Sequence, residues 1–122
     1  MVFLLNQPHP IMYYCNKETD IAPLHLLPGF VGKMIHTDQV SLGDFAIAAG
    51  SELPEHRHPH EQISSVLEGT FDFVIGGVSR RCGPGDVAVI PGNTPHSGRA
   101  VTDCRIMDVF CPMREDYRAM QE

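Results

Sequence analysis

At 122 residues with 43% hydrophobic content, the chain has the size of one domain with a single core and is too short for two. Its formal net charge is −6 with histidine neutral, and its nine Lys and Arg are scattered. That argues against nucleic-acid binding, which usually shows a basic stripe. The opening MVFLL is too short for a signal peptide, lacks a basic flank, and is followed by nothing of membrane-spanning length, so a cytoplasmic protein without membrane contact is expected.

Residues 1–30 read as an amino-terminal arm. Pro8, Pro10, Pro23 and Pro28 interrupt it, since proline fixes φ and removes a ladder donor, and short edge strands are expected only around Ile11 to Tyr14. His9, His25 and His36 have no partner donor two residues away and read as surface or packing histidines.

From residue 31 the texture changes to short β-prone runs separated by turn residues. Strands are predicted over Val31 to His36, Asp44 to Ala49, and Ile63 to Leu67, with Glu68-Gly69 closing the last of these. Phe71 to Ile75 and Val78 to Cys82 flank Gly76-Gly77, a strong two-residue hairpin signal. CGPGD at 82–86 and Pro91-Gly92-Asn93 mark turns around Val87 to Ile90, and Arg105 to Phe110 is the last strand. Only Arg114 to Met120 fits a turn or two of helix. Many short strands at this spacing predict an all-β sandwich or barrel with a sheltered interior. The four cysteines, Cys15, Cys82, Cys104 and Cys111, follow no C-x-x-C or zinc-finger pattern and read as reduced thiols.

The chain is organised around GSELPEHRHPHEQISSVLEG, residues 50–69. It places His56, His58, His60 and Gln62 at alternate positions, so on an extended strand their side chains leave one face and converge. Neutral imidazoles two residues apart can share a metal ion, whereas a lone H-x-H is as readily a solvated loop pair. Pro59 makes a bend plausible and gives a reason for His60 to turn away. His60 remains the main rival ligand, and Glu61, of opposite parity, a weaker one.

The spacing around this stretch resembles the first signature of the cupin family: Gly50, His56-x-His58, Gln62 where most cupins have glutamate, then Gly69. Gly85, Asp86, Pro91 and His96 resemble its second signature. Asn93 replaces a glycine, a mild change because asparagine tolerates positive φ, and Ala100 replaces an asparagine whose side-chain hydrogen bond is thereby lost. The resemblance implies an all-β cupin double-stranded β-helix, a jelly-roll barrel over 31–122, with a short helical turn at the carboxyl end. It also implies His56, His58, Gln62 and His96 as ligands of one divalent transition metal. Imidazole-rich ligation suits zinc, nickel, iron, cobalt, manganese or copper better than calcium or magnesium.

A second constellation lies in DVFCPMREDY, residues 108–117. Asp108 and Phe110 share strand parity, giving a carboxylate beside an apolar platform, and Arg114 is placed to fork onto a substrate carboxylate. The plainer readings are a core phenylalanine, a surface ion-pair arginine and a non-catalytic aspartate. Together with HPHEQISSVLEGTFDFVIGG, this tail resembles the small pectin-degradation cupins, which linearise 4,5-unsaturated monouronates from pectin and alginate. That resemblance implies Asp108, Phe110 and Arg114 as reaction-centre residues, a small anionic sugar-acid substrate, and a homodimer. Two other readings stay open: another cupin enzyme, such as a dioxygenase or isomerase, and a sugar-acid-binding or sensor module without turnover.

Overall fold

The computed structural model describes residues 12–121. After a short helix, α1 (Lys17–Asp20), come ten strands and a second helix: β1 (Leu24–Leu27), β2 (Phe30–His36), β3 (Ser41–Ile47), β4 (Glu52–His56), β5 (Glu61–Glu68), β6 (Phe71–Ile75), β7 (Val78–Cys82), β8 (Val87–Ile90), β9 (His96–Ala100), β10 (Cys104–Cys111) and α2 (Glu115–Met120). All strand pairs are antiparallel, in a six-stranded sheet of order β1-β2-β3-β10-β5-β8 and a four-stranded sheet of order β4-β9-β6-β7. This is the expected all-β jelly roll with its short carboxyl-terminal helix.

The hairpin β6–β7 forms where Gly76-Gly77 predicts it. Both glycines have positive φ, 55° and 79°, which lets the two-residue turn follow the twist of its strands, and Ile75 pairs with Val78 across it. The amino-terminal strand differs from expectation. Met12 to Tyr14 form no strand, Ile11 lies outside the described residues, and the edge strand is instead β1, paired with β2 between Pro23 and Pro28. Two proline boundaries hid a four-residue strand whose backbone needs only one partner.

Alternation on β10 sends Cys104, Ile106, Asp108 and Phe110 inward. The core they join includes Phe30, Met34, Phe45, Ile47, Val66, Phe71 and Phe73, and burying each large side chain contributes on the order of 2 kcal/mol. The ring of Phe71 lies against Gly98 on β9, where a Cβ would come within 2.2 Å of the ring. On the outer face, α1 is capped by Asn16, whose Oδ1 accepts from the Glu18 and Thr19 amides at 2.9 and 3.2 Å. Its Lys17 pairs with Asp44, which Arg105 also grips at 3.0 and 2.6 Å. All four cysteines are free, as expected. Among the described residues no helix is long and apolar enough to cross a membrane.

Candidate metal and substrate site

A cavity of about 380 Å³ lies between the sheets, its wall mostly apolar but carrying His56, Gln62, Ser64, Asp108, Arg114 and Tyr117. His56, His58 and His96 stand beside it with one nitrogen each within 4.8 Å of the others. His56 ends β4 and pairs in register with His96, which opens β9, and their ring centroids are 4.2 Å apart. His58 is not on a strand. β4 stops at His56, so His58 sits in the connection to β5, with ring centroids 5.6 Å from His56 and 4.9 Å from His96. Convergence therefore does not come from one extended strand, as the alternate spacing suggests, but from two strands of one sheet and a loop that crosses to the other. The Asn93 amide fastens that loop by donating to the His58 carbonyl at 2.7 Å, and Asn93 adopts the positive φ, 60°, that its replacement of glycine requires.

The three imidazoles are oriented alike. Nδ1 of His56 faces the Pro54 carbonyl at 2.9 Å, that of His58 the His60 carbonyl at 3.1 Å, and that of His96 the Thr94 carbonyl at 2.8 Å. A carbonyl accepts, so each Nδ1 carries the proton and each Nε2 keeps a lone pair, the arrangement metal-binding histidines require. His96 is thus oriented by a backbone carbonyl with no side chain from position 100. Ala100 instead is fully buried in the core.

Gln62, 7% exposed on β5, brings Oε1 to 3.0 Å from His58 Nε2. Its Nε2 donates to Ser64 Oγ at 3.0 Å and toward Asp108 Oδ2 at 3.4 Å, which fixes the amide so that oxygen faces the histidines. Both ring nitrogens of His58 consequently meet oxygen acceptors, and a neutral imidazole has one proton to give. Protonation is no remedy, because burial, with the charge of Arg114 next, holds His58 down at about 4. A cation between His58 Nε2 and Gln62 Oε1 satisfies both, and the buried His96 Nε2, which has no hydrogen-bond partner, presents a third donor to it. The residues present therefore fit a metal ion.

Asp108, 9% exposed, leaves Oδ1 without a hydrogen-bond partner, and burial pushes its carboxyl up to about 6 against hydrogen bonds from Ser64 and Gln62 and the nearby Arg114 charge. Phe110 is buried two residues on, its ring centroid 5.9 Å from that of His58. Arg114 lies 4.8 Å over Phe110 and 3.7 Å over Tyr117, but its Nε and Nη2 form a fork with Asp116 at 2.9 and 2.7 Å. One guanidinium edge is thus already taken, and the Nη1 edge is what Arg114 can offer a ligand.

His60 is outside the three-histidine group and its buried Nδ1 has no hydrogen-bond partner, and Glu61 is exposed. Ser64 and Tyr117 are the site residues that sequence reasoning did not single out. Ser64 shares the parity of Gln62 on β5 and pairs with Asp108, so the face rule was able to find it. Tyr117 follows Arg114 by three residues, one helical turn, a weaker signal.

Two antiparallel sheets around a cavity, with a histidine cluster able to hold a metal at its wall, define a jelly-roll protein. The chain belongs to the cupin family: the family model described as Cupin domain matches residues 43–110, more than half of its length. Within that family it is similar to KdgF from a Halomonas species, at 31% identity and a TM-score of 0.79, over 88% of this chain and 99% of that one. An RmlC-like cupin from Shewanella frigidimarina is 25% identical, with a TM-score of 0.81 over 88% of this chain and 96% of that one. The dimethylsulfoniopropionate lyase DddQ of Ruegeria pomeroyi is 42% identical over 52 residues, which are 42% of this chain and 26% of the lyase, so the chain spans about a quarter of that relative.

Proposed function

We propose that this cupin is a metal-dependent enzyme that opens 4,5-unsaturated monouronates to linear ketouronates. The observation that carries the reading is the meeting of the histidine cluster, Asp108, Phe110 and Arg114 around one cavity, the set the pectin-degradation resemblance implies. A cavity of about 380 Å³ suits a small ligand, since such sites run from about 300 to 1,000 Å³.

In this reading His56, His58, Gln62 and His96 hold one divalent transition ion. Three imidazoles and a carboxamide are neutral, so when bound the ion supplies nearly its full double charge to orient an anionic sugar acid and polarise its oxygens. The chain's own groups do the rest. Arg114 offers its Nη1 edge to the substrate carboxylate, and Phe110 packs against the ring. Asp108 takes the proton of the anomeric hydroxyl as the bond between the anomeric carbon and the ring oxygen breaks and an aldehyde forms. The ring oxygen leaves as an enolate, and the same proton returned to carbon 4 turns it into the ketone, so composition is unchanged. The apolar wall keeps water from Asp108, and its raised pKa suits a group that both takes and returns a proton near neutral pH.

The test is an assay on unsaturated galacturonate, followed by loss of the ultraviolet absorbance of its conjugated double bond, with and without chelator and with metal analysis of the purified protein. Chelator-sensitive loss of absorbance is expected. Saturable binding with unchanged absorbance would instead describe a sugar-acid-binding module. The DddQ match favours a second reading, a lyase acting on a sulfonium carboxylate, which dimethyl sulfide release from dimethylsulfoniopropionate would reveal.

A further inference from the structure

His36, the last residue of β2, takes no part in the histidine cluster, yet both of its ring nitrogens are engaged. Nδ1 lies 2.6 Å from Ser41 Oγ and Nε2 lies 2.7 Å from Gln121 Oε1. The direction of each bond follows from its neighbour. Ser41 Oγ accepts from the Arg114 amide at 2.8 Å and gives its own proton to His36 Nδ1, which is bare once Nε2 carries the single proton of the neutral ring. Gln121 Nε2 donates to the Met34 carbonyl at 3.1 Å, so its Oε1 faces His36 and accepts from Nε2–H. A neutral imidazole with its proton on Nε2 satisfies every group in the chain. Burial, which lowers the pKa of His36, keeps it in that form, and Ser41 at its centre is fully buried.

The two ends of this chain are the two ends of α2, because Arg114 is its N-cap and Gln121 its C-cap. The helix needs such fastening. Arg114 makes no side-chain cap bond, no residue of α2 is fully buried, and yet Tyr117 and Met120 form part of the cavity wall. We infer that His36 is a positioning residue that, through Ser41 and Gln121, clamps both ends of α2 to the β2–β3 hairpin and thereby sets the place of Arg114 and Tyr117 at the cavity. The consequence for substrate rests on the proposed function; the clamp itself does not.

The experiment compares His36→Phe, which fills the space but breaks both bonds, with His36→Gln, whose carboxamide keeps one acceptor and one donor. Amide hydrogen exchange is read at Arg114 and Gln121, with Ile106 and Asp108 on β10 as internal references. In His36→Phe, exchange at Arg114 and Gln121 is expected to quicken about tenfold while the β10 amides hold, and His36→Gln is expected to restore most of the protection. With unsaturated uronate, the Phe variant should raise KM several-fold and leave kcat within about twofold, as loss of an interaction made equally in ground and transition states does. Unchanged exchange, equal loosening of β10, or no rescue by glutamine overturns the clamp. Faster exchange with an unchanged KM supports the clamp and removes Arg114 from substrate binding, so the two readings fail separately.

Discussion

The Gln62 carboxamide and the Asp108 carboxylate meet on the inner wall, Nε2 to Oδ2 at 3.4 Å, while the same amide turns its oxygen to His58. One side chain thus touches both the histidine cluster and the buried acid. A glutamate at this position, the commoner cupin choice, keeps the acceptor and loses the donor. Gln62→Glu is therefore expected to bind a divalent metal more tightly, through the added charge, and to destabilise the metal-free protein by about 2 kcal/mol, because two buried carboxylates then face each other. Chelator competition and denaturant unfolding of the chelated protein measure the two effects. A metal-free variant as stable as the parent would mean that the amide does not support Asp108.

The unpartnered Nε2 of His96 leads to a second expectation. An ion that binds only the folded cluster stabilises by mass action, by about 2.7 kcal/mol at a free concentration one hundred times its dissociation constant. Chelated protein should therefore melt higher as zinc or nickel is added back. His96→Ala should abolish that rise, while His25→Ala, at an exposed position on β1, should leave it intact. Equal melting curves for the parent with and without metal would exclude a site among the three histidines.

Where strands carry apolar residues or a diagnostic turn, the sequence made the fold legible: Phe71–Ile75 and Val78–Cys82 fall where the Gly76-Gly77 turn puts them. β4 and β9 escaped notice for a physical reason. Glu52–His56 contains Pro54 and two glutamates, and His96–Ala100 contains Gly98 and Arg99, so neither shows alternation or β-branched residues; they hold by pairing with each other and, for β9, with β6. Missing them hid how His56 and His96 come together, although both were legible as ligand candidates from their motifs. Fixing of the three rings by the Pro54, His60 and Thr94 carbonyls was beyond reach, because a backbone acceptor leaves no trace in residue type.

Asp44 points to the outer face of β3 yet is buried, roofed by Arg105 and Lys17. The Arg105 hydrogen bonds hold its carboxyl down at about 2, below its unfolded value near 3.8, despite the opposing effect of burial. The sign follows: folding favours the charged form, so the contribution is full above about pH 3.8 and is lost as pH falls through about 2. Asp44→Asn is expected to cost on the order of 2 kcal/mol at neutral pH, with the gap to the parent closing between about pH 4 and 2. Urea unfolding across that range is the measurement, and a gap independent of pH would mean that packing of α1, not charge, is what Asp44 provides.

Asp108 carries the opposite sign. Burial raises its folded-state carboxyl to about 6 from an unfolded value near 3.8, so folding favours the protonated form. In the metal-free protein that contribution is full below about pH 3.8 and is lost as pH rises through about 6, on the order of 3 kcal/mol across the interval. An asparagine in place of the acid has no proton to lose, so metal-free Asp108→Asn should become progressively more stable than the parent from about pH 4 to 7. An amide also cannot take a proton from an anomeric hydroxyl, and turnover of unsaturated uronate by the metal-loaded variant should fall by about a hundredfold to ten-thousandfold at unchanged metal content. Gained stability with lost turnover is what a buried acid kept for chemistry produces. Gained stability with full turnover would leave Asp108 as a buried group without a catalytic part, and the proton transfer would need another carrier.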